Sequence, residues 1–192
     1  MTNRTDNPLD CDIYRYLGEW APGMRWKLAW RSRCFGVVLT HRLCRQTTGW
    51  RNWLARKAHA LACQWAAIDL PESTEIGAGL WIDHGWGLVV NGRARIGRNV
   101  TLVQGVTIGG GSKIDEHGNR TTGYPVLEDG VTVGPNATIV GGITIGAGAR
   151  ILPGASVYFD VPPGALVGGN PGRIVRENVP QDTWRQVDFD NP

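Results

Sequence analysis

From Glu75 to Val161 a bulky aliphatic residue returns at every sixth position, which few folds can accommodate. The second half reads Leu127, Val133, Ile139, Ile145, Ile151, Val157. The first half reads Ile76 and Ile82, then slips by two residues and continues as Val90, Ile96, Leu102 and Ile108. Lys113 to Val126 interrupts the two runs. A helix would place apolar residues at i, i+3, i+4 and i+7, and a β-sandwich of evenly spaced strands has no reason to hold one phase over six units. Period six predicts short flat strands joined by tight turns, each sending one bulky side chain inward. Such a unit cannot bury its apolar face alone, so the coils must stack. Glycines after the aliphatic positions (Gly77, Gly97, Gly109, Gly134, Gly146) suit turns that need close backbone approach. The expected fold is mainly β, a parallel β-solenoid.

The 192 residues are 42% apolar with a formal charge of +3, too small to imply a nucleic-acid partner. Cys11, Cys34, Cys44 and Cys63 all precede the repeat and form no C-x-x-C pair, so neither a disulfide nor a bound metal is expected. The first residues lack the apolar core of a signal peptide, and Phe35 to Leu39 is too short to span a bilayer. Cytoplasmic residence is the expectation.

Residues 1–68 read as a helical segment: a short helix within Asp10–Trp20 closed by Gly18 or Pro22–Gly23, then two helices broken around Thr47–Gly49. Trp26, Trp30, Cys34, Val37 and Val38, then Trp50, Trp53, Leu54, Leu61 and Trp65, supply the helical spacing. From Trp20 to Ile68 there is no Asp or Glu, but nine Lys or Arg and six of the chain's nine tryptophans. Two readings stand side by side. One is a cap over the open end of the solenoid with its arginines in solvent; the other is a basic, Trp-rich surface in peripheral contact with an anionic membrane at its inner face. The solenoid is expected over 69–163, with a projecting loop at 110–125. A turn-rich tail follows over 164–192, its last residues frayed.

Chemistry is expected where the repeat breaks. The first break carries Asp83-His84-Gly85-Trp86 beside the two-residue slip; the second is the excursion from Gly109 to Val126. Histidine is the natural general base near neutral pH and needs a carboxylate to orient it. Strand alternation points Asp83 away from His84, which favours Asp69, fifteen residues before His84 and close to one coil of three hexads earlier. His117 reads as part of a solvated loop tip, and His41 and His59 as packing or surface residues.

Ile68-Asp69 through Ile82-Asp83-His84-Gly85, then Gly105-Val106-Thr107-Ile108-Gly109-Gly110, Val133-Gly134, Val161-Pro162-Pro163 and Asn170-Pro171-Gly172-Arg173-Ile174-Val175 together resemble the hexapeptide-repeat acyltransferases. Within them the chain is most similar to the serine acetyltransferase branch, including colanic-acid-type polysaccharide O-acetyltransferases. The resemblance implies a left-handed parallel β-helix, a homotrimer, and acetyl-CoA as cosubstrate between subunits, with His84 as base, Asp69 orienting it and Asp83 contacting the acceptor. The Asp-Arg-His-Pro motif of serine acetyltransferases is here Thr122-Gly123-Tyr124-Pro125, and Arg120 takes the place of its arginine only if the loop folds back. With Trp86 and Tyr124 offering aromatic faces to a sugar ring, the expected acceptor is a surface polysaccharide or its sugar precursor. The alternatives are serine O-acetylation in cysteine biosynthesis and an inactive solenoid scaffold. Gly109, Gly110 and Gly111 would let a pantetheine arm approach the backbone; Ala149 is a further expected CoA contact, and Lys113, Arg150 and Arg173 are candidate phosphate partners. No metal is expected.

Overall fold

A computed structural model describes residues 4–114 and 116–190. Its centre is a solenoid whose strands rise coil by coil. The first coil holds β1 (Glu75–Ile76), β2 (Trp81–Asp83) and β3 (Val89–Val90), the second β4 (Arg95–Ile96), β5 (Thr101–Val103) and β6 (Thr107–Gly109). A hairpin of β7 (Gly111–Ile114) and β8 (Arg120–Gly123) stands out from the next corner. The third coil is β9 (Val126–Leu127), β10 (Thr132–Val133) and β11 (Thr138–Val140), and the fourth β12 (Thr144–Ile145), β13 (Arg150–Ile151) and β14 (Ser156–Val157). Like strands pair in parallel into sheets ordered β1-β4-β9-β12, β2-β5-β10-β13 and β3-β6-β11-β14.

The register explains the period. Ile82 sits beside Leu102, Leu102 beside Val133 and Val133 beside Ile151, and the other two sheets stack Ile76, Ile96, Leu127, Ile145 and Val90, Ile108, Ile139, Val157 in the same way. Apart from half-buried Ile76, these side chains form the buried core. The alternating position often holds a threonine (Thr101, Thr107, Thr132, Thr138, Thr144), a β-branched residue suited to extended backbone. Gly77 is required by contact between coils: a Cβ there would lie 2.6 Å from the Gly97 carbonyl carbon.

The ladder continues past the expected end at Pro163. β15 (Leu166–Gly168) pairs in parallel with β13, and β16 (Arg173–Arg176) then returns antiparallel along it. The tail expected to fray is instead held. The Asn99 side chain donates to the Val187 carbonyl at 2.8 Å and accepts from its N–H at 3.1 Å, and Val187 is buried. Asn99 itself, at φ 55, turns the chain between β4 and β5.

Four helices precede the solenoid: α1 (Pro8–Leu17), α2 (Arg25–Arg31), α3 (Arg33–Gln46) and α4 (Gly49–Ala66). Asn7 caps α1, which ends at left-handed Gly18. The helix expected to run from Trp26 to Val38 is broken at Ser32, whose hydroxyl accepts from the Phe35 N–H and starts α3. Cys34, Val37, Val38 and Ala66 join Leu70, Leu80, Ile82 and Leu88 in one apolar cluster, so the helices close the open end of the solenoid. The tryptophans do not take part in that closure. Trp26, Trp30, Trp50, Trp53 and Trp65 are exposed, contrary to the usual meaning of apolar helical spacing.

The polar contacts of the cap lie deepest. Asp12, fully buried, accepts from the Gly79 and Leu80 N–H groups at 3.0 and 2.8 Å and from Arg42 Nε at 2.8 Å. Arg42 donates to the carbonyls of Ile76 and Gly77, and Arg15 to Gly79 and the Thr101 hydroxyl. These side chains satisfy first-coil backbone groups that have no coil beneath them. Removing one partner leaves a buried charge alone, so Asp12→Ala should cost about 3–5 kcal/mol in urea denaturation, whereas Glu75→Ala, which breaks an exposed pair with Arg95, should cost less than about 1 kcal/mol.

His41 and His59 are both buried; His41 Nε2 lies 3.1 Å from the Thr74 carbonyl and His59 Nε2 2.7 Å from that of Leu70. Burial, with Arg42 and His59 close by, pushes the His41 imidazole down from 6.5 to about 4. The unfolded ring binds a proton that the folded one refuses. His41 therefore adds no penalty above about pH 6.5 and erodes stability progressively as the pH falls toward about 4, by on the order of 3 kcal/mol. Urea midpoints measured down this range should fall, and His41→Asn should flatten that slope.

Candidate active site

The slip in the repeat becomes a wide corner between β2 and β3. His84 occupies the left-handed region at φ 54, a conformation uncommon outside glycine, and Gly87 follows at φ 71. Gly85 is closed in, since a Cβ there would meet Ile68 Cδ1 at 2.6 Å. The strand leading into the corner is pinned by Tyr16, whose hydroxyl donates to the Ile82 carbonyl at 3.0 Å and accepts the Ile82 N–H at 3.1 Å. Tyr16 thus takes the place of a neighbouring strand one residue before Asp83.

Because His84 is left-handed, strand alternation fails and the expected divergence of Asp83 is corrected: His84 Nε2 lies 3.6 Å from Asp83 Oδ1, both on the solvent side. Asp69 stands one rung below β3, its backbone bridged to Val89. Among the described residues no hydrogen bond or ion pair joins its carboxylate to His84; its charge instead helps raise the Cys63 thiol, after burial. Trp86 lies beneath the Arg33 guanidinium at 3.7 Å. A cavity of about 490 Å³ gathers Tyr16, Arg31, Arg33, Trp65, Asp83 and His84. It therefore offers an imidazole, a carboxylate and two guanidinium groups within one recess.

The second break forms a separate cleft. A cavity of about 410 Å³ lies between the hairpin and β11–β12, lined by Gly111, Gly123, Val140, Gly141, Gly142 and Tyr158. Its glycines are steric requirements: a Cβ on Gly111 would meet Gly141 Cα at 2.8 Å, and one on Gly123 would meet Gly142 Cα at 2.5 Å. Gly109 ends β6, and Gly110 packs beside the Tyr124 ring. The Tyr124 hydroxyl accepts from Arg93 at 3.1 Å. Arg120 pairs with Ile114 across the hairpin and points to solvent, and exposed His117 stands at the tip 3.7 Å from Glu116. The side chain of Lys113 lies outside the described residues.

The remaining expected CoA contacts are distributed differently. Ala149 is fully buried, so its methyl belongs to the core and not to a ligand surface. Arg150 is paired with Asp182 at 3.3 Å, and Arg173 is exposed on β16. Sequence reasoning missed Tyr16, Arg31, Arg33, Arg93 and the Gly141–Gly142 pair. Only the last carried a local signal, a second run of adjacent glycines in the repeat after Gly109–Gly111.

The family described as bacterial transferase hexapeptide (six repeats) matches residues 124–158. A serine acetyltransferase from Bacillus licheniformis is 40% identical over 128 residues, spanning 67% of this chain and 57% of that protein. The crystal structure of Neisseria gonorrhoeae serine acetyltransferase in complex with serine superposes with a TM-score of 0.66 at 30% identity, covering 90% of this chain and 69% of that one. This chain belongs to the hexapeptide-repeat transferases. A further member, the Brucella abortus serine acetyltransferase in complex with coenzyme A, superposes with a TM-score of 0.66 at 26% identity over 88% of this chain and 65% of that one.

This chain spans little more than half the length of the Bacillus serine acetyltransferases it matches, 57% in the Bacillus licheniformis case. The expectation of a polysaccharide acceptor is corrected by these findings, because the matched relatives and structures are serine acetyltransferases. The aromatic residues near the repeat breaks do not form one sugar-binding surface: Trp86 is covered by Arg33, and Tyr124 lies at a different corner from His84.

Among the described residues no helix is long and apolar enough to cross a membrane, and no group of His, Cys, Asp and Glu could hold a metal ion. The glycine contacts yield a direct test. Gly123→Ala should force the hairpin from the solenoid wall, cost about 1–3 kcal/mol as an overpacking change, and speed hydrogen exchange in β7 and β8 with the coils unchanged.

Proposed function

We propose that this hexapeptide transferase is an acetyl-CoA-dependent serine O-acetyltransferase working by direct transfer with His84 as general base. The observation that carries the reading is the His84–Asp83 corner, exposed and set in one recess with Arg31 and Arg33. Serine is a zwitterion and needs charge of both signs. Asp83 suits its ammonium group, and the guanidinium groups suit its carboxylate, where the Gly123–Tyr124 pair alone could not. Arg93, hydrogen-bonded to Tyr124, returns a cation to the neighbourhood that the Arg-His pair of serine acetyltransferases would occupy.

His84 removes the hydroxyl proton as the oxygen attacks the thioester carbonyl. The resulting tetrahedral oxyanion is steadied by backbone N–H groups, and its collapse breaks the C–S bond. The imidazolium then returns the proton to the departing CoA thiolate. A carboxylate fixes the ring and stabilises its charge; Asp83 is the nearer in one chain, 3.6 Å from the ring and so beyond a direct hydrogen bond, while Asp69 is the residue implied by resemblance. The hairpin cleft suits the pantetheine arm, with Arg173 as an exposed phosphate partner.

The same reading has the helix wound left-handed and the chain trimeric. His84 lies at the corner between β2 and β3 and the hairpin cleft at the corner between β11 and β12, and among the described residues the two cavities share no lining residue. A neighbouring subunit can bring the cleft of one chain to the corner of the next. Sedimentation equilibrium should give about three times the chain mass of 20.9 kDa, and a monomer fully active in thiol release would contradict it.

His84→Ala should lower kcat/KM for L-serine by about 100- to 10,000-fold while leaving assembly and circular dichroism intact. Thiol release from acetyl-CoA, with mass spectrometry of the product, reads the outcome. Asp83→Asn and Asp69→Asn in parallel identify which carboxylate orients the ring: the true partner's loss should depress kcat by less than the loss of His84, and the other's should leave kcat nearly unchanged. Near-normal turnover by His84→Ala would refute the assignment.

A further inference from the structure

Helix α4 is built in reverse of an ordinary surface helix. Two alanines and a histidine face inward: Ala55, His59 and Ala66 are 8%, 3% and 0% exposed. Its large ones face outward: Trp50, Trp53, Leu54, Leu61 and Trp65 are between 48% and 69% exposed, at a spacing that places them along one stripe of the helix. Five large apolar side chains exposed on one helix face, with Lys57 set among them, are a feature of the kind that marks a contact surface.

Charge identifies the contact. Arg51 lies 5.6 Å from the ring of Trp50 and Lys57 5.9 Å from that of Trp53, so cations stand beside the rings of the stripe. Arg56 pairs with Glu72, beyond the helix; from Trp20 to Ile68 the chain has no acidic residue. Two copies meeting symmetrically through this stripe would set like charges against each other with nothing to neutralise them. A surface that accepts both indole rings and cations is the boundary layer of an anionic bilayer, where Trp rests at headgroup depth and Lys or Arg reaches to lipid phosphate.

We propose that α4 is a peripheral membrane-binding helix, lying with its Trp-Leu stripe in the headgroup layer of anionic lipid. No insertion across the bilayer is involved. The stripe ends at Trp65, which also lines the recess of His84, so the bound enzyme would present that recess beside the lipid surface.

The test uses the full chain in its native assembly, with vesicles of phosphatidylcholine alone and of equimolar phosphatidylcholine and phosphatidylglycerol. Co-sedimentation with the anionic vesicles should be at least about tenfold stronger than with the neutral ones, weaken with salt, and shift the tryptophan emission to the blue. Trp53→Ala/Leu61→Ala and, separately, Lys57→Glu should each weaken it by about tenfold or more, with circular dichroism and sedimentation mass unchanged. Absence of binding to anionic vesicles overturns the proposal, as does binding insensitive to all three substitutions. Self-association abolished by Trp53→Ala/Leu61→Ala, without vesicle binding, would instead assign the stripe to a second copy. None of these readouts depends on which acceptor the enzyme acetylates.

Discussion

The buried carboxylate of Asp12 sits where a repetitive fold has its hardest physical problem. Every coil of a solenoid hands its backbone groups to the next, and the first has no predecessor. Asp12 accepts from Gly79 and Leu80, and Arg42, itself neutralised by Asp12, donates to the carbonyls of Ile76 and Gly77. Unsatisfied, such groups would each lose a hydrogen bond's worth of free energy in a water-poor interior. Charged side chains do the work of a missing strand. Ending the stack in this way also stops one chain's edge from pairing with another's.

The same device continues up the edge to the chemistry. Tyr16, one helical turn from Asp12, closes the backbone of Ile82. The following residues then leave the strand and enter the left-handed corner that carries His84. The proposed base is therefore exposed but not loosely held, since the strand before it and the buried glycine after it are both fixed. A positioned base on a rigid element is what proton transfer in a near-attack geometry requires.

What could be read in the sequence follows from what was periodic. The six-residue phase gave the stacked coils, and the two-residue slip located the corner of His84, because an insertion in a packed ladder has to leave it. The buried Asp12–Arg42–Arg15 cluster was not legible: charged residues in a basic segment suggest solvent, and only three-dimensional adjacency to the first coil reverses that. Asp83 was misdirected because alternation presumes extended backbone, which His84 abandons. The tail was expected to fray because its composition is polar, yet Asn99, eighty-eight residues away, captures Val187. The acceptor was not legible because Trp86 and Tyr124, both beside breaks in the repeat, stand at different corners of the folded coil.

The projecting hairpin has a consequence for how such a chain can change. Leu102 and Val133 are direct neighbours in the ladder although thirty residues separate them, while Val133 and Ile151, equally close, have only seventeen between them. The extra chain departs and returns at a single corner without altering the stack above or below. Lengthening an excursion of this kind adds only about 0.6 kcal/mol of closure entropy per doubling. The scaffold is thus mechanically indifferent to what grows from that corner, and one wall of the cleft can be rewritten by insertion or deletion without renegotiating the core.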